Sequence, residues 1–188
     1  FNDKRDQRQI NAFYKSALIE NYGNALVKDA KSFVDNKLAQ NPTDFKGIMA
    51  SMEGYIQGKN LDADAELKKT VLPSIMSQFA QGSNVAKAKF TQLQRKENLK
   101  NIEDVVTLEV AELKAINANG VFKADQKVDD KANERAKEII QGFDKHKANW
   151  ILNGGTESDW KVIQKNKITE VIAHTNKTVL KDIFLKDG

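Results

Sequence analysis

The stretch Ile10-Asn11-Ala12-Phe13-Tyr14-Lys15-Ser16-Ala17-Leu18-Ile19-Glu20-Asn21-Tyr22-Gly23-Asn24-Ala25-Leu26 decides the fold. Its apolar residues Ile10, Phe13, Tyr14, Ala17, Leu18, Tyr22, Ala25 and Leu26 advance mostly by three and four, and Phe33, Val34 and Leu38 extend the series. Steps of that size place side chains on one stripe of a 3.6-residue helix. The pattern therefore predicts one long helix from Arg5 to Leu38.

Working outward, Asn41-Pro42-Thr43-Asp44 reads as a stop and a restart. Asn41 suits a cap, Pro42 a first turn whose N–H would be unpaired, and Asp44 the positive end of the dipole. A second helix carries Phe45, Ile48, Met49, Met52, Tyr55 and Ile56 and ends at Gly58, a residue that takes the left-handed cap without strain. Asp62 or Asp64 opens a third helix, which Pro73 is expected to kink or break by removing a backbone bond and restricting Leu72. The longest element follows, from Ser74 to Asn117, with Gly82-Ser83-Asn84 and Gln94-Arg95-Lys96-Glu97-Asn98 as its weak points. Asn117-Ala118-Asn119-Gly120 reads as a turn that reverses the chain.

A fifth helix runs from Val128 through Ile139, Phe143 and Trp150 to Ile151 and stops at Asn153-Gly154-Gly155. Thr156-Glu157-Ser158-Asp159 has the spacing of a capping box, with Asp in place of the preferred Glu or Gln. The last helix carries Trp160, Ile163, Ile168, Val171, Ile172, Val179, Leu180, Ile183 and Phe184. Trp150 and Trp160 are expected to pin the last two helices across the glycine turn. The fold class is all-α, with about five to seven helices, some long, in an extended antiparallel bundle-like arrangement. Residues 1–188 are read as a single helical unit, with a division into 1–80 and 81–188 as the variant. The opening Phe1-Asn2-Asp3 is read as that of a fragment of a larger polypeptide.

Composition narrows the function. The chain has 188 residues, 40% hydrophobic and 30% charged, with two prolines and ten glycines, too few for the turns of a many-stranded β fold. No apolar run exceeds three residues, so no transmembrane helix is expected. The absence of cysteine removes disulfides, thiolate metal sites and cysteine nucleophiles, and leaves the compartment open. Thirty Lys and Arg against 26 Asp and Glu give +4. The charges interleave, as in Asp3-Lys4-Arg5-Asp6, which is the pattern of solvated helix faces rather than of a single-sign field.

No residue is assigned a catalytic, cofactor-binding or metal role. His146 has no His, Asp or Glu three or four residues away, and His174 has only Glu170, far short of a three- or four-ligand site. Asp62-Ala63-Asp64-Ala65-Glu66 begins like a calcium loop but lacks its sixth-position glycine and distal Glu, and is read as a helix start. Gly154-Gly155-Thr156 could cradle an anion, yet no strand precedes it and no Lys follows. A Gly-x-Ser-x-Gly elbow is also missing. The chain is expected to be no enzyme and to need no cofactor.

Asn41 to Gly58, with its Glu53-Gly54-Tyr55 and Gly58 spacing after Pro42, Asp44 and Phe45, resembles a segment of large virion proteins of tailed bacteriophages. In that family a long helix, a Pro and Asp turn, a Glu-Gly-Tyr element and an acidic helix start follow in this order. The resemblance covers about the first 80 residues; from Val85 onward the likeness is only helical and polar. It implies a structural or internal particle component, in some members ejected to build a passage for the genome, and it brings no catalytic residues. The expected partners are further copies of the chain and other virion proteins. Weak, non-specific DNA contact would run through Lys161, Lys165, Lys167, Lys177 and Lys181, with a solvated face as the alternative. The virion is the expected location, a soluble bacterial compartment the alternative. A helical binding module, such as a bacterial sensor or adaptor bundle, is the competing function.

Overall fold

The computed structural model describes the backbone of residues 2–116 and 130–186, and side chains over 3–116 and 130–174. The turn expected at 117–120, the start of the fifth helix at Val128 and the side chains of Lys177, Lys181 and the last apolar residues lie outside the described residues. All the described regular structure is helical, with five α-helices and no strand. They are α1 (Asn2–Gln40), α2 (Phe45–Gly58), α3 (Ala65–Ile116), α4 (Asp130–Leu152) and α5 (Glu157–Lys186), with a 3₁₀ turn at Leu61–Ala63. The chain divides into two units, Phe1–Leu93 and Gln94–Gly188, the boundary falling within α3.

In the first unit, α1, α2 and the first part of α3 enclose a core that includes Leu26, Ala30, Val34, Ile48, Val71, Ile75 and Phe79. One ring from each helix meets at its centre. Phe33, Tyr55 and Phe79 have centroids 5.1 to 5.8 Å apart. Helices α1 and α3 approach closely through exchanged glycine and valine pairs. A Cβ on Gly23 would lie 2.7 Å from Val71 Cγ1, and one on Gly82 would lie 2.1 Å from Val34 Cγ1. Gly82 therefore marks a contact rather than an interruption. Beside it the Ser83 hydroxyl donates to the Phe45 carbonyl at 3.0 Å.

Pro73 does not end a helix, and the two helices expected around it are one. A proline in a helix interior costs ~3 kcal/mol. Val71, Ile75 and Phe79, all buried on the stripe around it, return ~1.5–3 kcal/mol each on burial, so tertiary packing outweighs the lost bond.

The caps also differ in detail. Asp44, not Asn41, caps α2, its Oδ1 accepting from Gly47 N at 2.8 Å, while Asn41 Oδ1 accepts from the Thr43 hydroxyl at 3.2 Å. Pro42 accordingly lies in the turn before the helix. The left-handed residue after α2 is Asn60, at φ 51°, not Gly58. Asp64 opens α3, its Oδ1 accepting from Glu66 N at 3.0 Å and Leu67 N at 3.1 Å. Replacing such a cap with Ala costs ~1 kcal/mol. Asp64→Ala is therefore expected to lower stability by about 1 kcal/mol in urea unfolding, and Asp64→Asn by much less.

In the second unit the later part of α3 packs with α4 and α5 around Val106, Val110, Trp150 and Trp160. The indoles are 6.1 Å apart, and Trp150 Nε1 donates to the Thr156 carbonyl at 3.0 Å. They meet across the turn where Gly154 takes φ 86°. Thr156 caps α5 by accepting from Asp159 N at 3.1 Å. The short Asp159 carboxylate accepts from the Thr156 hydroxyl at 2.7 Å, in place of the backbone N–H that a longer Glu reaches in a full capping box.

Candidate functional site

The Glu53 to Gly58 element lies along a groove between α1 and α2. Its wall on α1 is Asp29, Ser32, Phe33 and Asn36, and on the other side it is Gly54, Tyr55 and Gly58 of α2 with Lys59 just after it, around a volume of about 390 Å³. Gly54 and Gly58 stand one helical turn apart, so both fall on the same face of α2. A Cβ at either would meet nothing within 4 Å. The two glycines therefore open the groove, and are not demanded by internal packing.

One polar cluster stands in its lining. The Tyr55 hydroxyl donates to Asp29 Oδ2 at 2.7 Å, and the Lys59 ammonium reaches the same oxygen at 2.6 Å while lying 5.1 Å from the Tyr55 ring centroid. Lys59 and the Tyr55 hydroxyl hold the Asp29 carboxyl below its usual range. Burial first, then the bond to Asp29, pushes the Tyr55 phenol up. This trio joins residues 26 and 30 positions apart, so no local spacing in the sequence announces it. Its hydrogen bonds are satisfied internally, which suits holding two helices and shaping a surface.

The trio makes stability depend on pH at both ends. A raised phenol keeps its proton in the folded chain after the unfolded one has lost it, so its contribution is complete below pH ~10 and lost as the pH rises further. The lowered Asp29 contributes above pH ~4 and is lost as the pH falls through its folded value. Urea unfolding is expected to show a stability decline above pH ~10 that Tyr55→Phe reduces; an identical alkaline slope in the variant would contradict the assignment.

A second feature is an exposed apolar row on α1. Phe13, Tyr14 and Leu18 are 72%, 63% and 69% exposed, with Ile10 and Tyr22 also exposed. Ile10, Phe13 and Tyr14 lie on the stretch 3–16 of α1, where every residue is exposed, whereas Leu18 and Tyr22 stand at steps of four from Leu26, Ala30 and Val34, which face the core. Much of the stripe that announces the helix in the sequence thus faces solvent, and the fold within the unit does not cover it.

The sequence candidates are accounted for otherwise. In the acidic cluster, Asp62 pairs with Lys68, Asp64 caps α3 and Glu66 pairs with Lys15 at 2.8 Å. Among the described residues no group of three or more His, Asp or Glu could hold a metal ion. In the glycine turn, a Cβ on Gly155 would lie 2.2 Å from Trp150 Nε1, so Gly155 serves the packing of the indole, and Thr156 caps α5 through Asp159 N. His146 is neither exposed nor at a helix end. Its Nε2 stands 2.8 Å from Glu109 Oε2 on α3, both half-buried, a partner 37 residues away that local spacing misses.

The lysines of α5 have more acidic neighbours than the sequence suggests. Lys167 pairs with Glu170 at 3.3 Å, and Lys114 reaches Glu170 at 3.0 Å, holding its carboxyl below the usual range. Lys161 lies near Glu157, which Lys147 contacts at 2.8 Å. Among the described residues no helix is long and apolar enough to cross a membrane. No family model, curated protein or solved structure matches the chain.

Proposed function

We propose that the chain is a non-enzymatic helical segment of a tailed-phage particle, an internal or ejected virion protein that acts by assembly and assists genome delivery. The observation that supports this best is the set of large apolar side chains Ile10, Phe13, Tyr14, Leu18 and Tyr22 left exposed on the N-terminal part of α1, ahead of the residues that pack in the core. A soluble chain with rings exposed in a row has an apolar patch of the kind that marks an interaction surface. The extended antiparallel arrangement of the helices, self-association and contact with other virion proteins belong to this proposal. So does weak contact of Lys161 and Lys165 with DNA phosphate, which raised salt would abolish.

Peptide mass spectrometry on purified phage particles, before and after DNA ejection, tests the assignment. The peptides are expected in full particles and depleted from emptied ones. A helical binding module is the second reading, favoured by the α1–α2 groove. Recovery of the chain only from uninfected bacteria would support that reading and overturn the first.

A further inference from the structure

The interleaving of charge breaks down at one place. Between Glu66 and Glu97 the chain has no Asp or Glu, and residues 87–100 of α3 carry Lys87, Lys89, Arg95, Lys96 and Lys100 against Glu97 alone. Outside that stretch the 30 Lys and Arg and 26 Asp and Glu of the chain fall to 25 of each. The whole excess of +4 therefore sits on one short piece of one helix. We propose that this stretch binds a nucleic-acid duplex through its phosphates, without reading base sequence. The inference gives nucleic acid a stronger contact than the α5 lysines offer, and it does not rest on the particle assignment.

The charges of a solvated helix face are matched by neighbours, and most of this chain follows that rule. Lys31 meets Asp35, Lys59 meets Asp29, Lys114 meets Glu170 and Lys147 meets Glu157. The five cations of residues 87–100 are all exposed, and among the described residues none of them forms an ion pair. Lys96 and Lys100 stand four apart, the spacing at which like charges on a helix repel. An external polyanion relieves that repulsion.

The remaining side chains select among polyanions. An interfacial helix on anionic lipid needs a continuous apolar face beside its lysines. Here Phe90 packs on Phe45 with ring centroids 5.7 Å apart, and Leu99 packs against the second core, which leaves Leu93 as a lone exposed apolar residue. Single-strand binding draws on rings that are free to stack on bases, and the one ring in the stretch is already engaged. What the stretch offers instead is exposed cations and the amides of Gln92 and Gln94, the groups that contact phosphate and sugar. Fourteen residues of helix extend about 20 Å, a length over which each strand of a duplex presents about six phosphates. Each phosphate that meets a Lys or Arg releases condensed counterions, which drives binding and makes it sensitive to salt.

The experiment is fluorescence anisotropy of the full chain with labelled 20-base-pair DNA duplexes of two unrelated sequences. The wild type is expected to bind both alike. If three to five cations each meet a phosphate, affinity should fall roughly 40- to 500-fold between 50 and 200 mM salt. Lys96→Gln with Lys100→Gln removes two exposed cations that hold no ion pair, so the fold is expected to persist, with far-UV circular dichroism as the check. That variant should bind both sequences about tenfold more weakly, and its slope of log affinity against log salt should be shallower by about two. Lys161→Gln with Lys165→Gln is the comparison and is expected to lose less, since Lys161 already has Glu157 nearby.

No binding at 50 mM salt, a preference for one sequence that survives 200 mM salt, or an unchanged slope in the Lys96 and Lys100 variant would each overturn the proposal, and none of these results bears on self-assembly. Displacement of the duplex by polyglutamate at equal charge concentration would overturn it in favour of an acidic protein. Flotation with phosphatidylserine vesicles in the absence of duplex binding would overturn it in favour of a lipid surface.

Discussion

Phe79→Ala is expected to lower the stability of the first unit by about 3–5 kcal/mol, the range for deleting a large buried ring. Phe79 is 0% exposed. Its ring stands 5.8 Å from that of Phe33 on α1 and 5.4 Å from that of Tyr55 on α2, so one deletion removes a ring contact of α3 with each neighbour. Aromatic pairs contribute ~0.5–1.5 kcal/mol beyond their area, which places the loss toward the upper part of the range. Relaxation into the space is opposed by stiff, β-branched neighbours on the same core, Val34, Val71 and Ile75. Guanidinium unfolding followed by far-UV circular dichroism measures the effect. A change under about 1 kcal/mol would mean that the three rings are not the centre of this unit. Phe79→Leu, which keeps much of the volume, is expected to retain more than half of the lost stability.

This core was legible in the sequence as helices but not as a set of neighbours. The three-and-four steps from Ile10 to Leu38 give α1, and Phe45 to Ile56 give α2 though not its caps, because a helix is a local object whose main signal is periodicity. Thr156 and Asp159 likewise mark the start of α5. What failed was judged locally and decided tertiarily. Pro73 and Gly82 read as breaks because propensity penalises them. They sit inside α3 because buried Val71, Ile75 and Phe79 flank the first, and Val34 needs the space left by the second. The Asp29, Tyr55 and Lys59 trio and the His146 and Glu109 pair were invisible for the complementary reason: their partners are 26 to 37 residues apart and meet only once helices pack. The exposed row shows a third case. Periodicity identifies an apolar face without saying whether the partner that covers it lies in the same chain, and on α1 the later part of the stripe, Leu26, Phe33 and Val34, carries the intramolecular contacts while Ile10, Phe13 and Tyr14 stay exposed.

Trp160→Ala is expected to cost the second unit about 3–5 kcal/mol. Trp160 is 2% exposed and meets Trp150 at a 48° tilt, with Val106 and Val110 of α3 in the same cluster. The turn between α4 and α5 is built around this contact. Trp150 donates to the Thr156 carbonyl, and its ring fills the space where any side chain at 155 would lie. Only Gly155 permits that placement, so the turn and the indole pair are a single arrangement. Removing one indole leaves Trp150 with an open side to which water gains access, and no small shift of α5 restores the contact while the Gly155 turn holds the helix start in place. The chain has two tryptophans, so in the variant all tryptophan emission comes from Trp150. Its maximum is expected to move to longer wavelength in the folded protein, with the unfolding midpoint lowered. Trp160→Phe keeps an aromatic ring in the cluster and is expected to recover a large part of the stability. A variant with wild-type stability and unshifted Trp150 emission would show that the two indoles do not join α4 to α5.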